Sequence, residues 1–166
     1  MKLHSLEDLF VSELRDLYNM EQQILKALPK MVKKASSPEL ESMLEEHRDQ
    51  TEKQVERLET IFEHLGQKVK GKKCKGMEGL IEEGEELLGE DAEPPVLDAG
   101  IIAAAQKVEH YEMAGYGCAR TWARMLGHED AASLLEQTLQ EEDAMDRRLT
   151  DLAEHIINPV AATSGG

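Results

Sequence analysis

The sequence predicts an all-α protein, a four-helix bundle in which a long crossover connection carries a short fifth helix. Three observations support this fold class. Only 4% of the 166 residues are aromatic, long runs of β-branched residues are absent, and apolar residues recur every three or four positions along four long segments. Leu, Ala, Glu and Lys are abundant and favour helix, and apolar residues at this spacing form one buried helix face. We therefore expect a core of helices packed on helices.

The first two long helices are marked by strong start and stop residues. Ser5 followed by Asp8 resembles a capping box and predicts a helix that runs to about residue 35. Ser36-Ser37-Pro38-Glu39 predicts the next start, with serine at the cap and proline at the first helical position. This second helix should end at Leu65 and Gly66. The short connection makes the two helices antiparallel neighbours.

The remaining elements follow a connection that spans residues 67–95 and should contain a short acidic helix near 77–88. Pro94-Pro95 opens the third long helix, which should end near Leu126-Gly127. The fourth spans about 129–157 and should be closed by Asn158-Pro159. Two short connections with a long one between them give the topology of ferritin-like bundles. We expect residues 1–160 to form one domain and residues 161–166 to form a flexible tail.

Charge and cysteine content limit the classes of partner. A net charge of −15 argues against binding to nucleic acid or to an anionic membrane surface, because the chain lacks a broad cationic surface. The sequence contains no apolar segment of membrane length and no secretion signal pattern. Cys74 and Cys118 match neither a zinc spacing nor a disulfide framework. A reducing cytoplasm is the expected setting.

Two glutamates occupy positions where the third long helix should bury hydrocarbon. At helical spacing, Glu109 and Glu112 share a face with Ala105 and Tyr116. An isolated ionised carboxylate in a core is very unfavourable, so such groups are usually paired, protonated or bound to a metal. That face supplies no cation that could pair with them. Metal ligation is therefore the favoured interpretation.

Each of the other long helices also places polar residues on its inward face. They are Glu21 in the first helix, His47 in the second, and Glu142 and Asp146 in the fourth. Together with Glu109 and Glu112 they would form an oxygen-rich cage suited to iron or manganese. A structural interpretation stays open for three of them. A small change of helix phase would bring Glu21 or Asp146 to solvent, and His47 alone could be a hydrogen-bonded core histidine.

Five stretches of the sequence resemble the bacterial YciE/YciF stress-response family of ferritin-like proteins. They are ELRDLYNMEQQILKALPKM, LEEHRDQTEKQVERLE, CKGMEGLIEEGEEL, AAAQKVEHYEMAGYG and LLEQTLQEEDAMDRRL, and the resemblance covers residues 5–155. It implies a ferritin-like four-helix fold, a homodimer and an association with general stress responses. The Glu-x-x-Glu at Glu109 and Glu112 is also similar to the third-helix pattern of rubrerythrin-type di-iron sites.

The chain departs from the di-iron pattern in two helices. A Glu-x-x-His motif is expected in the second and fourth long helices. Leu44 instead stands three residues before His47, and Met145 stands three residues after Glu142. Asp146 is a candidate substitute one residue further on. The site could therefore be weaker than the di-iron pattern, or vestigial.

These observations favour a stress-response protein with a di-iron or di-manganese centre, or a degenerate mononuclear one, that reacts with peroxide or oxygen. Rubrerythrin-like peroxidase or ferroxidase chemistry is the corresponding enzymatic hypothesis. The alternative is a non-enzymatic, stress-associated helical bundle with a vestigial metal site, acting through binding or dimerisation. Dismutation of the manganese-catalase type is less favoured because the paired histidines are missing.

Overall fold

The computed structural model describes residues 3–164, and within this range all regular secondary structure is helical. The elements are α1 (Leu6–Lys34), α2 (Pro38–His64), α3 (Lys75–Leu88), α4 (Pro94–Met125), α5 (Glu129–Leu152), a π-helical segment (Ala153–Ile157) and α6 (Asn158–Ala161). The long helices α1, α2, α4 and α5 form the bundle, and α3 lies in the long connection. The predicted fold class is confirmed. None of the helices in the described range is both long and apolar enough to cross a lipid bilayer.

Side-chain caps mark the starts of α1 and α2, and two glycines follow the ends of α2 and α4. Ser5 Oγ accepts a hydrogen bond from the Asp8 amide at 3.1 Å, and the Asp8 carboxylate accepts one from the His4 amide at 3.0 Å. Ser37 caps α2, with Pro38 at its first position. Beyond α2 and α4, Gly66 and Gly127 adopt φ values of 61° and 79°, which favour glycine. These features confirm the predicted starts of α1 and α2 and the predicted ends of α2 and α4.

The C-terminal end differs from the expectation. At Ala153 the chain passes from α5 into the π-helical segment, and Asn158 and Pro159 then begin α6. In a π turn the amide bonds one residue further back, which relieves the conflict between a proline ring and the carbonyl four residues earlier. The predicted stop at Asn158-Pro159 is therefore wrong. The predicted tail 161–166 includes residues 165 and 166, which lie outside the described residues, and its flexibility stays a prediction.

Helix α3 is fixed along the groove between α1 and α4. It packs against both helices, and Cys74 and Met77 at its N-terminal end are fully buried. The Asn19 side chain accepts a hydrogen bond from the Cys74 amide at 2.8 Å, and the Gln23 side chain donates one to the Cys74 carbonyl at 3.0 Å. The crossover connection is therefore part of the bundle wall, next to the side chains that converge at its centre.

Candidate metal centre

Four buried side chains from three helices converge near the middle of the bundle. They are His47 on α2, Glu109 and Glu112 on α4, and Glu142 on α5, and each is at most 2% exposed. Each offers one ligand atom, and these atoms all lie within 4.8 Å of one another. His47 Nδ1 is 3.1 Å from Glu109 Oε1, while His47 Nε2 is 3.8 Å from Glu112 Oε2 and 4.0 Å from Glu142 Oε2. This four-residue cluster could hold a metal ion.

Helix register explains why these polar residues face inward. On α2, His47 and Thr51 follow Leu44 at intervals of three and four residues, and all three are buried. The Thr51 hydroxyl donates a hydrogen bond to the His47 carbonyl at 2.9 Å, so it does not compete for the imidazole. On α4, Glu109 and Glu112 lie within the buried stripe that continues to Tyr116. Burial at these positions follows from spacing, because a residue on the apolar stripe is carried into the core with its neighbours.

Most polar atoms of the four-residue cluster are buried without a hydrogen-bond partner. They are His47 Nε2, both carboxylate oxygens of Glu109, both carboxylate oxygens of Glu112, and Glu142 Oε2. Native proteins leave few buried polar atoms unpaired, and such atoms call for a water molecule or an ion. One imidazole and three carboxylates form a donor set that suits iron or manganese. The residues present therefore fit a bound cation.

Burial and mutual repulsion shift the pKa values of these groups. Burial raises the pKa of both Glu109 and Glu112 well above its ordinary range, and interactions with Glu142 raise both further. Burial also lowers the pKa of His47, which the charge of Glu142 partly offsets. In the absence of a cation the centre therefore disfavours charged groups. A bound divalent ion would reverse this preference, because it stabilises the deprotonated ligands.

Glu21 lies beside the four-residue cluster, on the side of α1. It is fully buried, Tyr116 donates a hydrogen bond to its Oε1, and its Oε2 has no hydrogen-bond partner. Burial, followed by the charge of Glu142, raises the pKa of Glu21 to about 8. Glu21 thus adds a fourth buried carboxylate that interacts electrostatically with the cluster.

Asp146, by contrast, lies between the centre and the surface, and its Oδ1 is buried without a hydrogen-bond partner. Its Oδ2 is 3.2 Å from His110 Nε2, and its side chain is 17% exposed. It stands one turn beyond Glu142 and has a shorter side chain, so it contacts a surface histidine of α4. The geometry does not bring Asp146 into the four-residue cluster, and His110 is a neighbour that the sequence interpretation did not single out.

The sequence interpretation also missed two side chains of α2 that hold the acids of α5 in place. Gln54 Nε2 donates hydrogen bonds to Glu142 Oε1 and, at 3.2 Å, to Glu141 Oε2. Arg57 donates two hydrogen bonds of 2.6 Å, one to each carboxylate oxygen of Glu141. A signal for Gln54 was present, because it follows His47 and Thr51 at helical spacing on the same buried face.

Comparisons with known proteins agree closely with this fold. The family model described as "Domain of unknown function (DUF892)" matches residues 5–162. Protein YciF of Escherichia coli K12 is 43% identical over 162 residues, which covers 97% of this chain and 98% of that protein. The crystal structure of the E. coli stress protein YciF matches with a TM-score of 0.90 and 44% identity, over 93% of this chain and 98% of that one. YcfI from Rhodopseudomonas palustris matches with a TM-score of 0.88 and 47% identity, over 90% and 95%.

Proposed function

The chain belongs to the DUF892 family, as its resemblance to the YciE/YciF proteins predicted, and from this premise we propose that it is a stress-response protein with a redox-active metal centre. The association with stress comes from its relative YciF, which is named a stress protein. The observation that carries the metal centre is the four-residue cluster, most of whose buried polar atoms lack a hydrogen-bond partner. We propose a reducing cytoplasm as the setting, where the free thiols of Cys74 and Cys118 would persist.

The proposed centre takes iron or manganese, with two ions when it is fully loaded. His47, Glu109, Glu112 and Glu142 would hold the first ion, and the unpaired Oε2 of Glu21 would offer a ligand to a second on the side of α1. When bound, two reduced ions supply the two electrons that, with two protons, convert hydrogen peroxide to two water molecules or dioxygen to hydrogen peroxide.

The surrounding residues act by positioning and by excluding water. Tyr116 fixes one oxygen of Glu21, and Gln54 fixes one oxygen of Glu142, so that in each carboxylate the other oxygen stays available. Burial disfavours the carboxylate form of Glu112 without metal, and a bound ion would stabilise that form and so favour loss of its proton. Burial of all these groups keeps bulk water away from the centre.

The test combines metal analysis with stability measurements. Elemental analysis of protein purified without chelators should find iron or manganese. Under anaerobic conditions, Fe(II) or Mn(II) should raise the melting temperature of the wild type. The stabilisation would be about 2.7 kcal/mol at an ion concentration 100 times the dissociation constant. Glu112→Gln should remove most of this gain and leave the metal-free protein at least as stable, because burial, followed by the charges of neighbouring acids, disfavours the ionised carboxylate that glutamine replaces.

Glu63→Gln on the exposed surface of α2 is a matched control, since it makes the same substitution away from the four-residue cluster and should keep the full metal response. The opposite pattern would show that the acids are structural. In that case Glu112→Gln would strand a buried partner and lose about 3–5 kcal/mol without metal, and neither protein would respond to metal.

A second candidate function is a non-enzymatic, stress-associated bundle that acts through binding or dimerisation. The observation that favours it is the single imidazole in the four-residue cluster, where a di-iron pattern would supply two. Metal-loaded protein that binds its ions tightly but consumes neither hydrogen peroxide nor dioxygen would select this alternative.

A further inference from the structure

A small apolar cavity adjoins the four-residue cluster. It lies between α1, α3 and α4, has a volume of about 40 Å³, and reaches His47 at its inner end. Its apolar lining includes Ile24, Leu28, Leu80, Ile81, Ala105 and Val108. Lys30 and Glu85, an exposed ion pair between α1 and α3, also line it. The cavity therefore extends from an exposed ion pair to an imidazole that is 2% exposed.

The size of the cavity restricts its occupant to a very small molecule. A site for one water molecule needs at least about 10–15 Å³ by this kind of measure, so the interior of the cavity has room for about three groups of the size of a water molecule. A diatomic molecule fits, whereas a metabolite of ordinary size does not.

The lining selects among small molecules by polarity. A hydroxyl group that enters an apolar environment without a hydrogen-bond partner loses about 2–7 kcal/mol. Hydrogen peroxide carries two hydroxyl groups, whereas dioxygen carries none. Cavities lined by Leu, Ile and similar side chains stay dry and accept apolar guests. The apolar stretch between the Lys30–Glu85 ion pair and His47 therefore favours dioxygen over hydrogen peroxide.

We propose that this cavity is a dioxygen-binding site that admits dioxygen to the His47 side of the metal centre. This inference rests on the proposed function and selects dioxygen as the oxidant. It also gives α3 a role, because Leu80, Ile81 and Gly84 of α3 form one wall of the cavity. The crossover connection would then control which small molecules reach the metal centre.

Gly84 allows the cavity to be filled without damage to α3. It lies inside α3, and a Cβ atom there would contact only the Cβ of Ala104, at an ordinary distance of 3.9 Å. Gly84→Leu should therefore extend a side chain into the cavity while it improves helix propensity. Gly79 lies in the same helix outside the cavity lining, and a Cβ atom there would meet nothing within 4 Å. Gly79→Leu is the matched control.

The first measurement uses xenon as an apolar probe of metal-free crystals. We expect xenon in the cavity of the wild type and of Gly79→Leu, and none in Gly84→Leu. Because this readout needs no bound metal, it separates the cavity from the centre. If metal binds but xenon does not enter the wild-type cavity, the cavity inference is overturned and the metal centre stands. If xenon enters but the protein takes up no metal, the proposed function fails, and dioxygen delivery fails with it.

The second measurement follows oxidation of the Fe(II)-loaded protein by stopped flow, with dioxygen or with hydrogen peroxide. Gly84→Leu should slow the reaction with dioxygen by about tenfold or more, which corresponds to about 1.4 kcal/mol in the barrier. Its reaction with hydrogen peroxide, and both reactions of Gly79→Leu, should keep wild-type rates. An unchanged dioxygen rate in Gly84→Leu, or equal slowing with both oxidants, would overturn the inference.

Discussion

Replacement of Glu21 by glutamine should stabilise the metal-free protein. Glu21 is fully buried, and burial together with the charge of Glu142 raises its pKa from 4.5 to about 8. At pH 7 the carboxyl group is therefore mostly protonated in the folded protein, whereas it is ionised in the unfolded chain. At pH 7 the Glu21 carboxyl group must therefore take up a proton when the chain folds, and this uptake lowers the stability of the folded protein. Glutamine has nearly the shape of the protonated acid and can still accept the hydrogen bond from Tyr116.

The size of this stabilisation follows from the difference between pH 7 and the ordinary pKa of 4.5. Each pH unit corresponds to about 1.4 kcal/mol, so protonation of Glu21 costs the folded protein about 3 kcal/mol at pH 7. The sign is fixed by the raised pKa. The contribution of this group to stability is fully present below pH about 4.5 and is lost as the pH rises toward 8. Glu21→Gln removes this contribution to the pH dependence of stability.

Urea unfolding at pH 5, 6, 7 and 8 in the presence of a chelator measures the effect. We expect the free energy of unfolding of Glu21→Gln to exceed that of the wild type by an amount that grows with pH and reaches about 3 kcal/mol at pH 7. Glu63→Gln, the same substitution at an exposed position, should follow the wild type. A Glu21→Gln protein that is less stable than the wild type at pH 7, or that differs from it by the same amount at every pH, would refute the reasoning.

Three further predictions concern the bundle and its assembly. Gly76→Ala should lower stability by about 1–3 kcal/mol in urea unfolding, because the added methyl group would overlap the Tyr111 ring. Tyr111→Leu in the same chain should recover part of this loss, and wild-type stability of Gly76→Ala alone would contradict the packing argument. Asp98→Ala should cost about 2–4 kcal/mol of unfolding free energy, because buried Asp98 accepts hydrogen bonds from the Ser36 and Ser37 amides and from the Ser36 hydroxyl at 2.6–2.9 Å. Unaltered stability of Asp98→Ala would show that water replaces these bonds. Light scattering at moderate salt should give twice the chain mass of 18.6 kDa, as the family resemblance implies, whereas a monomer or a shell of many subunits would rule out the predicted dimer.

The helices and the acids of α4 could be predicted because their signals are local. Ser5, Ser37 and the glycines after α2 and α4 act within one helical turn, so their residue types identify the helix ends. Glu109 and Glu112 stand out because helical spacing alone places them on an apolar stripe. Local spacing therefore indicates which side chains enter the core.

The partners of those side chains depend on contacts between helices, and the sequence does not reveal them. Asp98 looks like an ordinary acid near the start of α4, and its burial depends on how the connection between α1 and α2 lies against it. Asp146 and Glu142 lie one turn apart, yet only Glu142 enters the four-residue cluster. That difference depends on the rotation of α5 about its axis, which packing against α2 and α4 decides.

The distribution of ligands over the helices has a consequence for folding kinetics. The hairpin of α1 and α2 supplies His47, and the hairpin of α4 and α5 supplies Glu109, Glu112 and Glu142. Contacts within each hairpin join segments close in the chain, whereas the contacts of α1 with α4 and of α2 with α5 join segments separated by the crossover connection. Neither hairpin alone contains the cluster, so an ion would stabilise only the docked bundle. If the hairpins dock after the folding transition state, a bound ion would lower the rate constant of unfolding and leave that of folding almost unchanged, because interactions formed after the transition state act mainly on unfolding.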